Sequence, residues 1–280
     1  MNQTRELLRA AGLRPKKSKG QHFLTRDDIL ERIAAAAGVE PGETVIEVGP
    51  GTGNLTRHLL AAGARVTAIE IDPDLCRLLR AEISTPDFTL LEADALQVDF
   101  ASLAAGQKVK LAANIPYNIT TPLLFRLLDA RANFRDLSLL IQREVAERIV
   151  AAPGGRDYGI VSVQAQLLFD CELLFEVGPD AFTPRPKVSS ALIRLTPLPE
   201  PRFPVKDLIL CRRLIRAAFA HRRKTLRNSF GAAPGLPPRE TLVAALEAAG
   251  IDPQRRPETV TVAEYARLSN IIFEEGNPDA

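Results

Sequence analysis

The 280-residue sequence contains few cysteines, and their positions exclude two classes of protein. Cys76, Cys171 and Cys211 are widely separated, odd in number and never part of a Cys-x-x-Cys pair. A disulfide scaffold and a zinc ribbon are therefore excluded, and a reducing compartment is favoured. The histidines are equally scattered, without a cysteine or a second histidine at ligand spacing, so we expect no metal site.

Long apolar segments are also missing. No run approaches the roughly 18 residues that a membrane-spanning helix needs. The N-terminal segment carries charges but no apolar stretch after them, so we expect no signal peptide. These absences predict a cytoplasmic protein without a membrane partner. The composition, 46% hydrophobic and 25% charged, is typical of a globular chain with one large and one smaller domain.

The formal net charge of +2 conceals an uneven distribution along the chain. Residues 1–24 sum to +5, residues 25–199 to −6 and residues 200–280 to +3. The densest basic segment has no acid within it and contains Arg212, Arg213, Arg216, Arg222, Arg223, Lys224 and Arg227. Most charge runs are solvated helix faces. The single sign of this one favours a nucleic-acid backbone as its partner.

The order of predicted elements indicates an α/β domain followed by helices. Strands are predicted at 44–49, 65–72, 88–94, 108–115 and 137–142, with a closing pair at 171–177 and 190–198. Helices are predicted near 3–11, 26–37, 54–63, 73–83, 121–130, 143–152, 158–168, 205–220, 238–249 and 261–273. Alternating strands and helices at this spacing predict a mainly parallel sheet. A proline-rich segment, 196–204, predicts a boundary between domains 1–199 and 200–280.

A glycine-rich turn follows the first predicted strand. The segment 47–54, EVGPGTGN, spaces its glycines as G-x-G-x-G and has Asn54 where a dinucleotide-binding fingerprint has its third glycine. Glu70 ends the next strand, where its carboxylate could accept both hydroxyls of a ribose. Because Glu47 and Glu70 would repel a pyrophosphate, the sequence favours S-adenosylmethionine, whose sulfonium is positive and which has no phosphate.

A second motif, NIPY at residues 114–117, ends the fourth strand. The exocyclic amine of a nucleobase is a poor nucleophile because its lone pair is delocalised into the ring. Hydrogen bonds from the amine to the Asn114 side chain and a nearby carbonyl would aim that lone pair at a methyl group. Pro116 stiffens the turn, and Tyr117 offers a face on which a flipped base can stack.

These motifs, with several longer segments, resemble a known family. EVGPGTGN is similar to motif I of the Rossmann-like methyltransferases, and NIPY to the motif of the amino-methyltransferases. The segments KKSKGQHFL (16–24), ANIPYNITTPLL (113–124), FTPRPKVSSALIRL (182–195) and HRRKTLRNSF (221–230) extend the likeness along nearly the whole chain. The sequence resembles the adenine N6-dimethyltransferases of small-subunit ribosomal RNA, the KsgA (RsmA) family.

The resemblance implies a fold and a reaction. The fold would be a Rossmann-like class I methyltransferase domain, mainly parallel with a closing antiparallel strand, plus a small all-α C-terminal domain that binds RNA. The reaction would be S-adenosylmethionine-dependent dimethylation of two adjacent adenines in a hairpin loop near the 3′ end of 16S rRNA, linked to small-subunit biogenesis. The partner would be 16S rRNA within an immature small subunit, and we expect a monomer.

The resemblance also implies which residues form the site. Around the cofactor they are Gln21, His22 and Leu24 in an N-terminal clasp, Gly49 and Gly51 in the loop, Glu70 at the ribose and Asp94 at the cofactor adenine. Around the target they are Asn114, which also touches the cofactor, Pro116, Tyr117 and Phe182. On the RNA backbone they are Arg222, Arg223, Lys224 and Arg227. Two residues depart from the family pattern: His22 replaces an asparagine, and Arg185 replaces a proline and adds a charge beside the base pocket.

Four alternatives remain at this point. An Erm-type methyltransferase of large-subunit rRNA shares the clasp and both motifs. A DNA adenine methyltransferase commonly has an inserted recognition domain, for which this chain has no room. An NAD-dependent oxidoreductase is disfavoured by Asn54 and by the NIPY motif. A ribosome-assembly factor with reduced catalysis would keep the basic segments, but it would not need an intact Asn114 and Tyr117.

Overall fold

A computed structural model describes residues 3–16, 20–221, 223–230 and 235–276. Its helices are α1 (Gln3–Ala10), α2 (Asp27–Ala37), α3 (Asn54–Ala61), α4 (Pro73–Glu82), α5 (Phe100–Ala104), α6 (Thr120–Asp129), α7 (Arg143–Val150), α8 (Ile160–Leu168), α9 (Leu208–Phe219), α10 (Leu226–Phe230), α11 (Arg239–Ala248) and α12 (Val262–Gly276). Its strands are β1 (Phe23–Leu24), β2 (Thr44–Val48), β3 (Arg65–Glu70), β4 (Phe88–Glu92), β5 (Val109–Asn114), β6 (Phe134–Gln142), β7 (Phe169–Val177), β8 (Phe182–Thr183) and β9 (Ser190–Pro197).

Seven of these strands form one sheet in the order β4-β3-β2-β5-β6-β9-β7. The pairs β4–β3, β3–β2, β2–β5 and β5–β6 are parallel, and β9 runs antiparallel to β6. Strands β2 and β5 are almost wholly buried, as expected for central strands covered by helices on both faces. The predicted fold class, a mainly parallel sheet with a closing antiparallel strand, is confirmed.

The strand order reverses at β2, and this reversal positions the site. From β2 the chain moves outward to β3 and β4 on one side, and then continues on the other side with β5 and β6. The crevice beyond the carboxyl ends of the strands at such a switch point is where open α/β sheets bind ligands. The glycine-rich turn follows β2 and the NIPY motif begins at the last residue of β5, so both motifs lie at the switch point.

A small second sheet pairs the N-terminal segment, residues 3–16 and 20–24, with a distant part of the chain. β1 pairs antiparallel with β8, with Phe23 opposite Thr183 and Leu24 opposite Phe182. On its other side the N-terminal segment packs Leu8 and Phe23 against Leu75 and Leu78 of α4. The pairing of β1 with β8 was not predicted, because two-residue strands have no detectable alternation. The short helices α5 and α10 were also missed.

The chain forms two compact units, Met1–Ala146 with Glu172–Pro197 and Glu147–Cys171 with Leu198–Ala280. The second unit is built around α9, which packs against α8, α10 and α12. The predicted division at 199/200 and the structural division differ in residues 147–171 and 198–199. Residues 147–171 belong with the C-terminal helices because α8 packs on α9 and α12.

Candidate active site

One cavity lies at the carboxyl ends of β2, β3 and β5. Its wall contains nine of the predicted site residues: Gln21, His22, Leu24, Gly49, Gly51, Glu70, Asn114, Pro116 and Tyr117. They come from the N-terminal segment, the glycine-rich turn, the end of β3 and the NIPY motif. The fold therefore brings together residues that are up to 96 positions apart in the sequence.

The glycine-rich turn needs its glycines for two reasons. Gly49 and Gly51 have φ angles of 67° and 61°, a region that other residues rarely adopt. A Cβ at Gly51 would lie 2.9 Å from the Phe23 ring, and one at Gly49 would lie 3.1 Å from Pro116 Cδ. Side chains at either position would push the N-terminal segment or the NIPY motif out of the cavity wall.

Two buried carboxyl groups border the cavity. Glu47 is 1% exposed, and its Oε2 accepts a 2.6 Å hydrogen bond from the Thr56 hydroxyl. Burial, together with the nearby Glu70, raises the pKa of Glu47 to about 8. Glu70 accepts hydrogen bonds from the backbone N–H groups of Asp72 (2.9 Å) and Gly51 (3.3 Å), while burial raises its pKa.

The Glu70 carboxyl group suits a ligand that carries hydroxyl groups. A carboxylate has about four acceptor positions, and two of those on Glu70 are used by the backbone. The remaining positions are available to ligand hydroxyls. Thr52, 1% exposed, also lines the cavity, and its Oγ1 has no hydrogen-bond partner among the described residues. Buried polar atoms normally have a partner, so a polar ligand group at this position would satisfy Thr52.

The NIPY motif is oriented by the N-terminal segment. The side-chain N–H of Asn114 donates to the backbone carbonyl of His22, at 3.2 Å. This bond fixes the amide so that Oδ1 lies on the opposite side, and Oδ1 has no partner among the described residues. Asn114 therefore presents a free acceptor.

His22 and Tyr117 form a stacked pair beside Asn114. Their ring centroids are 5.3 Å apart and their planes are inclined by 30°. His22 Nδ1 lies 2.8 Å from the Pro184 carbonyl oxygen, and because a carbonyl only accepts, this nitrogen carries a proton. The Tyr117 hydroxyl bonds Ser190 Oγ at 2.7 Å, and burial raises the pKa of the phenol.

The N-terminal segment is held over the cavity by charge. Lys16 Nζ bonds Asp72 Oδ1 at 2.8 Å and Asp74 Oδ2 at 2.7 Å, and it holds the pKa of Asp74 below its usual range. The Gln21 amide accepts from Lys16 N (2.8 Å) and donates to Asp72 (3.1 Å). Asn54 donates to the Leu24 carbonyl at 2.6 Å. The Asn54 side chain therefore anchors the segment, a function that glycine could not perform.

Comparison with known proteins identifies the family. The pattern of the family described as "Ribosomal RNA adenine dimethylase" matches residues 12–274. The ribosomal RNA small subunit methyltransferase A of Myxococcus xanthus is 46% identical over 272 residues, which cover 97% of this chain and 96% of that protein. The chain belongs to the ribosomal RNA adenine dimethylase family. The resemblance stated from the sequence is confirmed, and the protein is a methyltransferase.

Two solved structures share the fold of this dimethylase. A dimethyladenosine transferase from Plasmodium falciparum has a TM-score of 0.73 and 26% identity, covering 91% of this chain and 98% of its own. The 23S rRNA methyltransferase ErmE has a TM-score of 0.66 and 30% identity, covering 90% of this chain and 99% of its own. Both therefore match over their whole length.

Two predicted site residues of the dimethylase lie outside the cavity wall. Asp94 is half-buried in the turn after β4, where its Oδ1 accepts from Leu96 N at 2.9 Å. Phe182 is 3% exposed and packs in the hydrophobic core next to Leu24. A contact between Asp94 and the cofactor adenine, and stacking of Phe182 on the target base, stay predictions.

The basic segment of the dimethylase divides into two groups. Arg212 Nε bonds Gln164 Oε1 at 3.1 Å, and Arg213 bonds the Gly235 carbonyl. Arg223, Lys224 and Arg227 are exposed, and none of them makes a side-chain hydrogen bond or ion pair with the part of the chain that the structure describes. Arg222 lies outside the described residues. RNA binding by this segment stays a prediction.

Neither a metal centre nor a membrane span is found in the described ranges. Within them, no three histidine, cysteine, aspartate or glutamate side chains are grouped to hold a metal ion. None of their helices is long and apolar enough to cross a membrane.

Sequence reasoning missed several residues of the cavity wall and its supports. Thr52 lies inside a recognised motif, but its orphaned hydroxyl shows only in three dimensions. Phe23 packs against Gly51, a contact across 28 positions of sequence. The salt bridges of Lys16 with Asp72 and Asp74 could have been suspected from the lysine-rich start of KKSKGQHFL and the acids after β3.

The raised pKa of Glu47 predicts a specific pH dependence of stability. The pKa of Glu47 is about 8 in the folded protein and has its ordinary value of 4.5 in the unfolded chain. Between these two pH values the folded protein keeps a proton on Glu47 that the unfolded chain has released. The free energy of unfolding should therefore decrease as pH rises from about 5 to 8. Glu47→Gln should flatten this decrease by at least about 1 kcal/mol, since one pKa unit corresponds to about 1.4 kcal/mol.

Urea unfolding of both proteins without ligand, at pH 5 and pH 8, measures the difference. Glutamine keeps an acceptor for the Thr56 hydroxyl, so the variant preserves that contact. Parallel pH profiles for the two proteins would show that Glu47 does not titrate in this range.

Proposed function

We propose that this dimethylase binds S-adenosylmethionine and dimethylates N6 of two adjacent adenines in a hairpin loop near the 3′ end of 16S rRNA. Its substrate is the rRNA of an immature small ribosomal subunit, in the cytoplasm. The protein acts as a monomer and needs no metal. The observation that carries the proposal is the free Asn114 Oδ1, held beside Tyr117 in the same cavity as the glycine-rich turn and Glu70.

The cavity fits S-adenosylmethionine by charge and by shape. The cofactor, when bound, supplies an activated methyl group on a positive sulfur. Glu70 accepts the ribose hydroxyls with the positions left free by Gly51 and Asp72. Gly49 and Gly51 let the backbone approach without a Cβ, and the Thr52 hydroxyl bonds a polar group of the cofactor. Gln21 acts indirectly, because its side-chain oxygen already accepts from Lys16 N and its side-chain N–H already donates to Asp72. Both bonds position the N-terminal segment.

Asn114 activates the target amine by hydrogen bonding. Its Oδ1 accepts from the amine and draws it towards a pyramidal geometry, which directs the lone pair out of the ring plane. The His22 carbonyl fixes the amide beforehand, so little orientational freedom is lost when the substrate binds. After transfer the amine is cationic and releases its proton to water, so the chain needs no dedicated general base.

Tyr117 provides a rigid stacking surface for the flipped adenine. His22 covers part of the ring on one side, and the Ser190 hydroxyl fixes the phenol oxygen. Stacking on an aromatic side chain contributes about 1–3 kcal/mol per base, enough to offset much of the cost of unstacking a loop nucleotide.

The small subunit is favoured over the large subunit as substrate. The Myxococcus xanthus relative, whose name specifies the small subunit, is 46% identical, whereas ErmE, named for 23S rRNA, is 30% identical. The decisive experiment incubates the protein with labelled S-adenosylmethionine and, separately, with under-methylated small and large subunits. Digestion of the RNA should yield N6,N6-dimethyladenosine from the small subunit. Label in the large subunit alone would overturn the proposal.

Glu70→Ala should weaken S-adenosylmethionine binding by roughly 1.5–3 kcal/mol, the range for hydrogen bonds to a charged group. Isothermal titration calorimetry measures the change. Glu92→Ala is the matched control, because Glu92 also ends a strand but is exposed and pairs with Arg80. An unchanged affinity in Glu70→Ala would remove Glu70 from the cofactor site.

Asn114→Ala should reduce methyl transfer by about 100-fold or more, the size of losing one preorganised contact to a transition state. Cofactor affinity should be largely retained, because the lost acceptor acts on the target amine. Single-turnover assays measure the rate, with Asn133→Ala as the control, since Asn133 lies in a turn before β6. A near-normal rate in Asn114→Ala would rule out the amine-positioning role.

Replacing Arg222, Arg223 and Lys224 by alanine should make RNA binding less salt-dependent. Each phosphate contact on a single strand contributes about 0.7 to the slope of log affinity against log salt, so the slope should fall by about two units. Cofactor affinity should stay unchanged, because the cofactor residues belong to the other compact unit. A lower melting temperature with an unchanged slope would instead assign the segment a structural role.

A further inference from the structure

A second groove lies on the N-terminal segment, outside the cavity described above. Its lining includes Arg5, Arg9 and Arg14 together with the partly exposed apolar side chains of Leu13 and Pro184. The described residues that line it include no acid, and Glu6, the acidic residue of α1, is not among them. We name this feature the arginine groove.

Two arginines of the arginine groove differ from most exposed arginines of this structure. Arg26, Arg80 and Arg135, for example, each form an ion pair with a nearby acid. Arg9 and Arg14 are exposed, and their side chains make no hydrogen bond or ion pair within the described ranges. Two exposed guanidinium groups in one groove, with no acid among the described lining residues, favour an anion as the ligand, since each offers several N–H donors in a planar fork.

The arginine groove shares a wall with the base-binding side of the cavity. Pro184 lines the groove, and its carbonyl oxygen accepts the hydrogen bond from His22 Nδ1. His22 lines the cavity and stacks on Tyr117. One hydrogen-bonded pair of residues therefore separates the stacking surface from the arginine groove.

We infer that the arginine groove binds the single-stranded RNA that flanks the target adenosine, an inference that rests on the proposed function. A base flipped onto Tyr117 leaves its own backbone at the mouth of the cavity, so the adjoining strand passes over Pro184. There Arg9 and Arg14 contact phosphates, and the apolar surface of Leu13 and Pro184 contacts bases or riboses that are no longer stacked. A duplex would not offer its base faces to this surface.

The double variant Arg9→Gln, Arg14→Gln tests the inference. The ligand is an RNA hairpin whose loop carries two adjacent adenines, and fluorescence anisotropy measures its affinity across a series of salt concentrations. The slope of log affinity against log salt should become shallower by about one unit, at about 0.7 per phosphate contact. The single variant Arg14→Gln, at a residue outside α1, should give about half that change. The double variant with lysine at both positions, Arg9→Lys with Arg14→Lys, should keep the wild-type slope.

The matched control is Arg80→Gln, Arg135→Gln. It removes the same charge from exposed arginines in the last turn of α4 and at the start of β6, neither of which lines the cavity or the arginine groove. An unchanged slope in the groove variant, or an equal change in the control, would overturn the inference. Weaker binding to intact small subunits with an unchanged slope on RNA would assign the groove to a protein partner and would also overturn it.

The wild-type protein separates this inference from the function on which it rests. Methylation and binding of the hairpin or of small subunits by the wild-type protein test the proposed function. If the wild-type protein methylates the RNA and the groove variant has an unchanged salt slope, the inference about the arginine groove is overturned and the proposed function stands. Failure of the wild-type protein to bind or methylate small-subunit RNA would overturn both.

Discussion

The hydrogen bond from the Asn114 amide to the His22 carbonyl joins the two halves of the cavity. One partner ends the central strand β5 and the other belongs to the N-terminal segment, so the bond exists only when that segment lies over the sheet edge. The same bond decides which amide atom faces the substrate. The acceptor that the chemistry requires is therefore a consequence of the segment's position.

That position depends on contacts that are individually modest. The Lys16 salt bridges are partly exposed, and such pairs contribute little alone. They act together with the two-residue pairing of β1 and β8 and with the packing of Phe23 on Gly51 and α4. Several weak contacts together hold the N-terminal segment in place. A side chain at Gly51 would disturb most of them, because it would displace Phe23.

Most of the fold, and the chain segments that form the cavity, could be predicted from the sequence. Buried strands such as β2 and β5 are mainly apolar, with one charged residue each (Glu47 and Lys110), and turn residues bound them, so their positions were predicted to within one or two residues. Six of the nine predicted residues in the cavity wall lie at or just after the carboxyl ends of adjacent parallel strands, which meet at one edge. The other three, Gln21, His22 and Leu24, were predicted only through the family resemblance. The β1–β8 pair, the free Thr52 hydroxyl and the core position of Phe182 could not be predicted, since they depend on side-chain contacts between segments far apart in the sequence.

The uneven charge along the chain agrees with the proposed function, in which the protein binds two ligands of opposite charge. The cavity keeps Glu47 and Glu70 close together, which is costly because burial raises the pKa of both. A positive sulfonium lowers this cost, whereas an RNA phosphate would increase it. The cavity wall contains no lysine or arginine among the described residues, and on the proposed function the arginines that meet RNA phosphates lie outside it, as those of the arginine groove do. The hydrogen-bonded pair of His22 and Pro184 lies between the cavity and the arginine groove. On the proposed function, this arrangement would admit an uncharged base to Tyr117 and leave its phosphates outside.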